Sequence, residues 1–205
     1  MRRIGLMGGS FNPIHCGHIN LARAALSSDM VDRVLLMPSG NPPHKRTGLE
    51  DKLHRLSMAQ LAIEGETGIE ICREEVDREG VIYTVDTLGI LRERMPDCRF
   101  FYLIGADTLR TLHTWRRPED VIRLCTLLVA ARPGEDEADL PRLMAHWGAL
   151  GAEVLVLPAA CIDVSSTEIR ERLAEGRTLD GLVPAKVERY IRMHGLYQTS
   201  EEASP

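Results

Sequence analysis

The sequence predicts an α/β fold, a doubly wound and mainly parallel sheet with helices on both faces. Two observations predict it. Short apolar runs recur along the chain, each closed by glycine or proline, as strands buried on both faces read. Between them lie segments with helical spacing of apolar residues, the alternation that builds βαβ units. With 205 residues, 44% of them hydrophobic, the chain can bury a sizeable core as one domain.

The first strand is RIGLM at 3–7, stopped by Gly8 and Gly9. A helix follows, with Ile19, Ala22, Ala25 and Leu26 on one face and an end near Ser28. RVLLM at 33–37, closed by Pro38, is the second strand and completes a βαβ unit. PSGNPPHKRTG at 38–48 is loop, because its three prolines and two glycines deny both helix and ladder hydrogen bonding. Helical spacing returns from about Leu49 to Ile63, and IEICREEV at 69–76 alternates as a strand does. TVDTLGILRERM at 84–95 is helical and stops before Pro96, and RFFYLIG at 99–105 is another buried strand. TLLVAAR and EVLVLP bring the set to about six strands. In DVSSTEIRERLAEG at 163–176, Ser165 as N-cap and Glu168 three residues later form a capping box, and Gly176 suits the stop. The expected organisation is one domain over 1–195, with a helical C-terminal part from about 163, followed by a flexible polar tail over 196–205.

Composition narrows the function. The 25 basic and 30 acidic side chains give a net charge of -5, which argues against a nucleic-acid binder and leaves room only for a local basic pocket. The five cysteines are odd in number and scattered without a CxxC pair, so neither a disulfide framework nor a zinc knuckle is indicated and a reducing cytoplasm fits. No apolar stretch reaches the roughly 18 residues a membrane span needs, so a soluble, untargeted protein is expected. Repeats and low-complexity tracts are absent from the sequence. A homo-oligomer is compatible with all of this.

The chemistry concentrates in a few stretches. Gly8 and Gly9 remove side chains where the first strand hands over to the first helix, which suits either a close backbone approach by a ligand or a tight turn. Neither GxGxxG nor GxxxxGK[ST] is present. His15 and His18, with Gly17 between them, can face the same side near a helix start, and imidazole N–H groups are good phosphate donors. A metal reading of this pair with Cys16 is disfavoured, because Cys16 would point away from that face. Lys45 sits on the stiff NPPHK loop, as a ligand contact or a solvated lysine. The first turn of the later helix offers N–H groups and the hydroxyls of Ser166 and Thr167, with Arg170 one turn in, as an anion site or an ordinary capped helix. Gly105 and Asp107 end a strand where ribose hydroxyls could meet a carboxylate, although Asp107 could equally be an N-cap. Trp115, flanked by polar and basic residues, suits a half-exposed ring.

Together the His15-Cys16-Gly17-His18 and SSTEIR stretches resemble the HxGH nucleotidylyltransferase superfamily, with its Rossmann-like fold. Within it the chain is similar to the bacterial nicotinate-nucleotide adenylyltransferases, through GGSFNPIHCGH, NPPHK, YTVDTL, IGAD with the downstream Trp115, and VSSTEIR. The resemblance implies ATP and nicotinate mononucleotide as substrates, Mg2+ as the assisting ion, and in-line attack with no covalent enzyme intermediate. It implies that His15 and His18 bind the ATP phosphates, with main-chain N–H groups near Ser10 and Phe11. Lys45, Ser166, Thr167 and Arg170 would grip the β and γ phosphates, Gly105 and Asp107 would take the adenosine, and Gly8 and Gly9 would belong to the ATP site. Asn41, Thr84 and Trp115 would hold the mononucleotide, Trp115 stacking on its pyridine ring. Arg116 stands where the family often has tyrosine and would bear on acid-over-amide choice. The competing expectations are nicotinamide mononucleotide or phosphopantetheine as acceptor, and a non-catalytic nucleotide-binding regulator. A class I aminoacyl-tRNA synthetase fragment, with its similar HIGH motif, is disfavoured by the missing KMSKS-like loop.

Overall fold

Six strands, β1 (Arg2–Gly9), β2 (Arg33–Pro38), β3 (Ile69–Ile71), β4 (Cys98–Gly105), β5 (Thr126–Ala130) and β6 (Val154–Leu157), form one sheet in a computed structural model describing residues 1–42, 48–131, 139–157 and 164–198. Their order is β3-β2-β1-β4-β5-β6 and every neighbouring pair is parallel. The helices are α1 (Cys16–Ser27), α2 (Lys52–Ala62), α3 (Thr84–Arg94), α4 (Ala106–Thr111), α5 (Pro118–Leu124), α6 (Leu140–Ala149), α7 (Ser166–Ala174) and α8 (Ala185–Met193).

Successive strand residues point to opposite faces, so each apolar run feeds two cores. Met7, Leu36, Phe101 and Leu128 join Ile19, Ala22, Met58, Ile169, Val187 and Ile191 on the face covered by α1, α2, α7 and α8. Ile4, Leu6, Phe100 and Leu127 join Leu88, Leu91, Leu109, Val121 and Trp147 on the face covered by α3 to α6. Each such Leu, Ile or Phe, fully buried, stabilises the fold by about 1.5–3 kcal/mol. Trp147 satisfies its indole N–H by donating to the Leu109 carbonyl at 3.1 Å.

The strand order reverses at β1, which has β2 on one side and β4 on the other. In such sheets a crevice opens outside the carboxyl ends of the strands at the reversal. Gly8 and Gly9 stand level with Met37 and Pro38 of β2, so the first two strands end together at that edge.

Three expectations change. The strand expected over 69–76 stops at Ile71: this edge strand has only β2 to pair with, and the chain turns over 74–77 to bring Glu75 beneath the crevice. Helix α2 starts at Lys52 rather than near Leu49, because the Glu50 N–H donates to Asn12 Oδ1 and its carbonyl accepts from Arg55 Nε. Asp51 then caps the helix, accepting from the Leu53 N–H at 2.7 Å. The packed chain also passes the expected boundary at 195, since Leu196 is buried in the core and the Tyr197 hydroxyl donates to Asn12 Oδ1. Residues 199–205 of the expected tail lie outside the described residues.

Candidate active site

A cavity of about 380 Å³ opens at this carboxyl edge, lined by the ends of β1 and β4, by His18 of α1, and by residues 82–84 and 115–116. One half is apolar and aromatic. Trp115 is half-buried and stands edge-on to Tyr102, with ring centroids 5.9 Å apart at 85°. Tyr102 is buried, and burial pushes its phenol well above the usual tyrosine range, with a hydrogen bond to Thr84 pulling the other way. A Cβ on Gly8 would collide with the Tyr102 hydroxyl, so this glycine is needed for the wall of the cavity to close. A Cβ on Gly9 would press on the Phe11 ring at 3.0 Å. Phe11, at φ 45°, holds a left-handed conformation uncommon outside glycine, and its buried ring meets His18 edge-on at 4.9 Å.

The two histidines occupy the N-terminus of α1. His15 is the N-cap residue and His18 lies in the first turn, their rings stacked with centroids 3.6 Å apart. The His15 N–H donates to His18 Nδ1 at 3.2 Å. An accepting Nδ1 fixes the tautomer of the neutral ring, leaving its N–H on Nε2 as a donor. His15 is 7% exposed, and burial lowers its pKa to about 4, so it is neutral at physiological pH. Its Nδ1 is buried without a partner among the described residues. Gly17 is dictated by sterics: a Cβ there would lie 3.0 Å from both His15 Nδ1 and Val164 Cγ1. Cys16, in the variable position of the motif, donates its N–H to the Leu182 carbonyl at 2.8 Å.

Helix α7 comes to the same loop. Ser165 caps it through the Glu168 N–H at 3.1 Å, whereas the Glu168 carboxylate turns to Arg172 at 2.9 Å. The Ser166 hydroxyl donates to the Pro13 carbonyl at 2.9 Å, and Arg170 donates to the Asn12 carbonyl at 2.8 Å and to Thr167 Oγ1 at 3.1 Å. The guanidinium is thereby anchored three residues before His15, although the two residues are remote in the chain.

Two buried polar residues hold these loops in register. Asn12, 5% exposed, donates through Nδ2 to the Gly48 carbonyl at 2.9 Å while its Oδ1 accepts from the Glu50 N–H and the Tyr197 hydroxyl. Arg55, wholly buried, donates to the carbonyls of Ser10, Gly40 and Glu50 and to Ser39 Oγ. It thereby ties the loop after β1 to the loop after β2. All four acceptors are neutral, so among the described residues a positive charge sits behind the cavity without a bonded carboxylate; burial pulls its pKa down, but a guanidinium keeps its charge.

Glu75 lines the cavity at 7% exposure and accepts from Thr87 Oγ1 at 3.1 Å. Burial raises its carboxyl pKa to about 7, outweighing the opposing pull of Thr87, Arg78 and Arg55.

Of the residues singled out in the sequence, Gly8, Gly9, Ser10, His18, Thr84, Gly105, Trp115 and Arg116 line this one cavity. Phe11 and His15 pack behind His18, and Ser166, Thr167 and Arg170 join the loop before it. Asn41 is exposed and uses its carbonyl to accept from the Ile82 N–H, next to Pro42 at the cavity's rim. Asp107 is exposed in the first turn of α4, whose N-cap is Gly105, so it does not serve as the cap. Arg116 stacks its guanidinium over the Tyr83 ring at 4.5 Å. Lys45 lies outside the described residues. Sequence reasoning missed Asn12, Arg55, Glu75, Tyr102 and Tyr197. Arg55 had a signal, an arginine on the apolar stripe with Ala59 and Ala62; Glu75, read as part of a strand, had none.

Among the described residues, no group of three or more His, Cys, Asp or Glu could hold a metal ion, and no helix is long and apolar enough to cross a membrane. The cytidylyltransferase-like family model matches residues 6–172. A probable nicotinate-nucleotide adenylyltransferase of Thermomicrobium roseum is 41% identical over 206 residues, covering 100% of this chain and 96% of its own. One from Neisseria meningitidis is 39% identical, covering 97% and 100%. Among solved structures, the nicotinic acid mononucleotide adenylyltransferase of Plasmodium falciparum complexed with NaAD superposes with a TM-score of 0.78 at 17% identity, covering 96% of this chain and 98% of that one. At that identity the likeness speaks for the fold.

Proposed function

The chain belongs to the cytidylyltransferase-like family and, within it, to the nicotinate-nucleotide adenylyltransferases, and we propose that its cavity is where AMP passes from ATP to nicotinate mononucleotide. The products are deamido-NAD and pyrophosphate. A 5'-phosphate oxygen of the mononucleotide attacks the α-phosphorus of ATP in line, and the bond from that phosphorus to the bridging oxygen of the β-phosphate breaks. The attacking monoester is already anionic near neutral pH, so no general base is required; the protein aligns the two phosphates and stabilises the leaving charge.

One observation carries the reading: the stacked histidines and the Asn12-anchored Arg170 converge at one loop, beside a cavity walled by Trp115 and Tyr102. His18 would donate from Nε2 to the triphosphate. His15 holds that ring by stacking and by its main-chain bond to Nδ1. Arg170, the Thr167 hydroxyl, the first-turn main-chain N–H groups at Ser166 and Thr167, and Lys45 would bind the β and γ phosphates, each charge-assisted bond contributing about 1.5–3 kcal/mol. Gly105 and Asp107 would flank the adenosine, and Asn41, Thr84 and Trp115 the mononucleotide, with the pyridine ring on Trp115. Mg2+ would arrive bound to the triphosphate. Its chemistry would be charge neutralisation on the leaving pyrophosphate. The cytoplasm suits the free cysteines Cys16, Cys72, Cys98 and Cys125.

The test is pyrophosphate release from ATP and Mg2+ with nicotinate mononucleotide, nicotinamide mononucleotide and phosphopantetheine in turn. Nicotinate mononucleotide is expected to give the highest kcat/KM. His18→Ala should keep its circular dichroism spectrum and lose at least about a hundredfold in kcat, the range for removing a preorganised donor. A fully active His18→Ala would refute the assignment.

A further inference from the structure

We propose that Tyr197 is a positioning residue of this reaction: its hydroxyl fixes the Asn12 carboxamide and, through the Asn12 carbonyl, the guanidinium of Arg170. The inference rests on the reading of Arg170 as a phosphate ligand.

Tyr197 follows α8, where Leu196 is 6% exposed and donates its N–H to the Ile191 carbonyl at 3.0 Å, anchoring the chain end. Tyr197 itself sits at φ 63°, a left-handed conformation that a bulky residue adopts only where its surroundings hold it. That turn lets the hydroxyl reach back 185 positions to Asn12 Oδ1 at 2.9 Å. The Asn12 side chain is then fully specified: Oδ1 accepts from Tyr197 and from the Glu50 N–H at 3.1 Å, and Nδ2 donates to the Gly48 carbonyl at 2.9 Å. The same residue's carbonyl receives Arg170 Nη1 at 2.8 Å. Without the hydroxyl, the carboxamide keeps a single donor to Oδ1, and the peptide that orients Arg170 loses one of its restraints. Tyr197 is not among the cavity-lining residues, so it acts through Asn12.

The test is a double-mutant cycle of wild type, Tyr197→Phe, Arg170→Lys and the double variant. Tyr197→Phe keeps the packed ring and removes only the donor. One net hydrogen bond corresponds to about a three- to tenfold fall in kcat/KM for ATP, while KM for nicotinate mononucleotide should stay within about twofold because Trp115 and Thr84 are untouched. In the Arg170→Lys background the further loss should be under about twofold, the two positions acting as one unit. Unchanged kcat/KM for ATP, the same fold-loss in both backgrounds, or equal loss for both substrates as general loosening would give, overturns the proposal. Calorimetric binding of a non-hydrolysable ATP analogue repeats the cycle without turnover. A wild type inactive with nicotinate mononucleotide therefore refutes the function, while the binding cycle still decides the role of Tyr197.

Discussion

Replacing Glu75 by glutamine should make the protein more stable relative to wild type as pH rises. The carboxyl is 7% exposed and accepts from Thr87, with no cation among the described residues bonded to it, and burial moves its pKa from 4.5 to about 7. A carboxyl whose folded pKa is raised holds its proton better in the native state. Its contribution is full below pH 4.5, is lost between 4.5 and about 7, and above that leaves an ionised group in a poorly solvated place. At about 1.4 kcal/mol per pH unit, the loss is about 3 kcal/mol. His15 runs the other way: its pKa falls from 6.5 to about 4, so the unfolded chain binds the extra proton and stability rises with pH across that interval. In wild type the two slopes oppose each other between pH 4.5 and 6.5. Glutamine mimics the protonated acid, accepting the Thr87 hydroxyl through its carbonyl, and removes only the falling slope. Thermal melts of both proteins from pH 4.5 to 8 should show near-equal Tm at the acid end. At pH 8 the variant should melt about 6–12 °C higher, at about 2–4 °C per kcal/mol for a chain of this size. Parallel Tm profiles would refute the reasoning, because they would mean that Glu75 ionises as easily in the folded chain as in the unfolded one.

Two further changes test the site. Gly17→Ala puts a methyl 3.0 Å from His15 Nδ1 and Val164 Cγ1; displacement of the imidazole should cut kcat by about ten- to a hundredfold while Tm moves by only a few degrees. Wild-type kinetics in that variant would show that the ring position is not critical. Arg116→Ala removes the guanidinium stacked on Tyr83 at the cavity wall. The ratio of kcat/KM for nicotinate over nicotinamide mononucleotide should fall about two- to fivefold, as suits an exposed charge, and an unchanged ratio would exclude Arg116 from acid-over-amide choice.

Features that depend on near neighbours are legible in the sequence. The runs ending at Gly8–Gly9, Pro38 and Gly105 are the strand ends that border the site, and the Ser165 half of the expected capping box forms, whereas Glu168 pairs with Arg172 instead of closing the box. The histidine pair meets because the N-cap residue and the third helical residue are neighbours at a helix start. Where neighbours competed with more distant partners, the local reading gave way: Glu50 left the helical pattern for Asn12, and Glu75 left the strand pattern for Thr87.

The sequence by itself determined the alternation of strands and helices, their caps, and the chemical types gathered for phosphate binding. Only the tertiary structure decided that Asn12 is met by Arg170 from 158 positions away and by Tyr197 from 185, and that Arg55 ties the loop after β1 to the loop after β2 from inside the core. The reason is physical. Periodicity and capping act within a turn or two of the chain, whereas a contact across most of its length exists only because burial of the two cores outweighs the entropy of closing the loop between its partners.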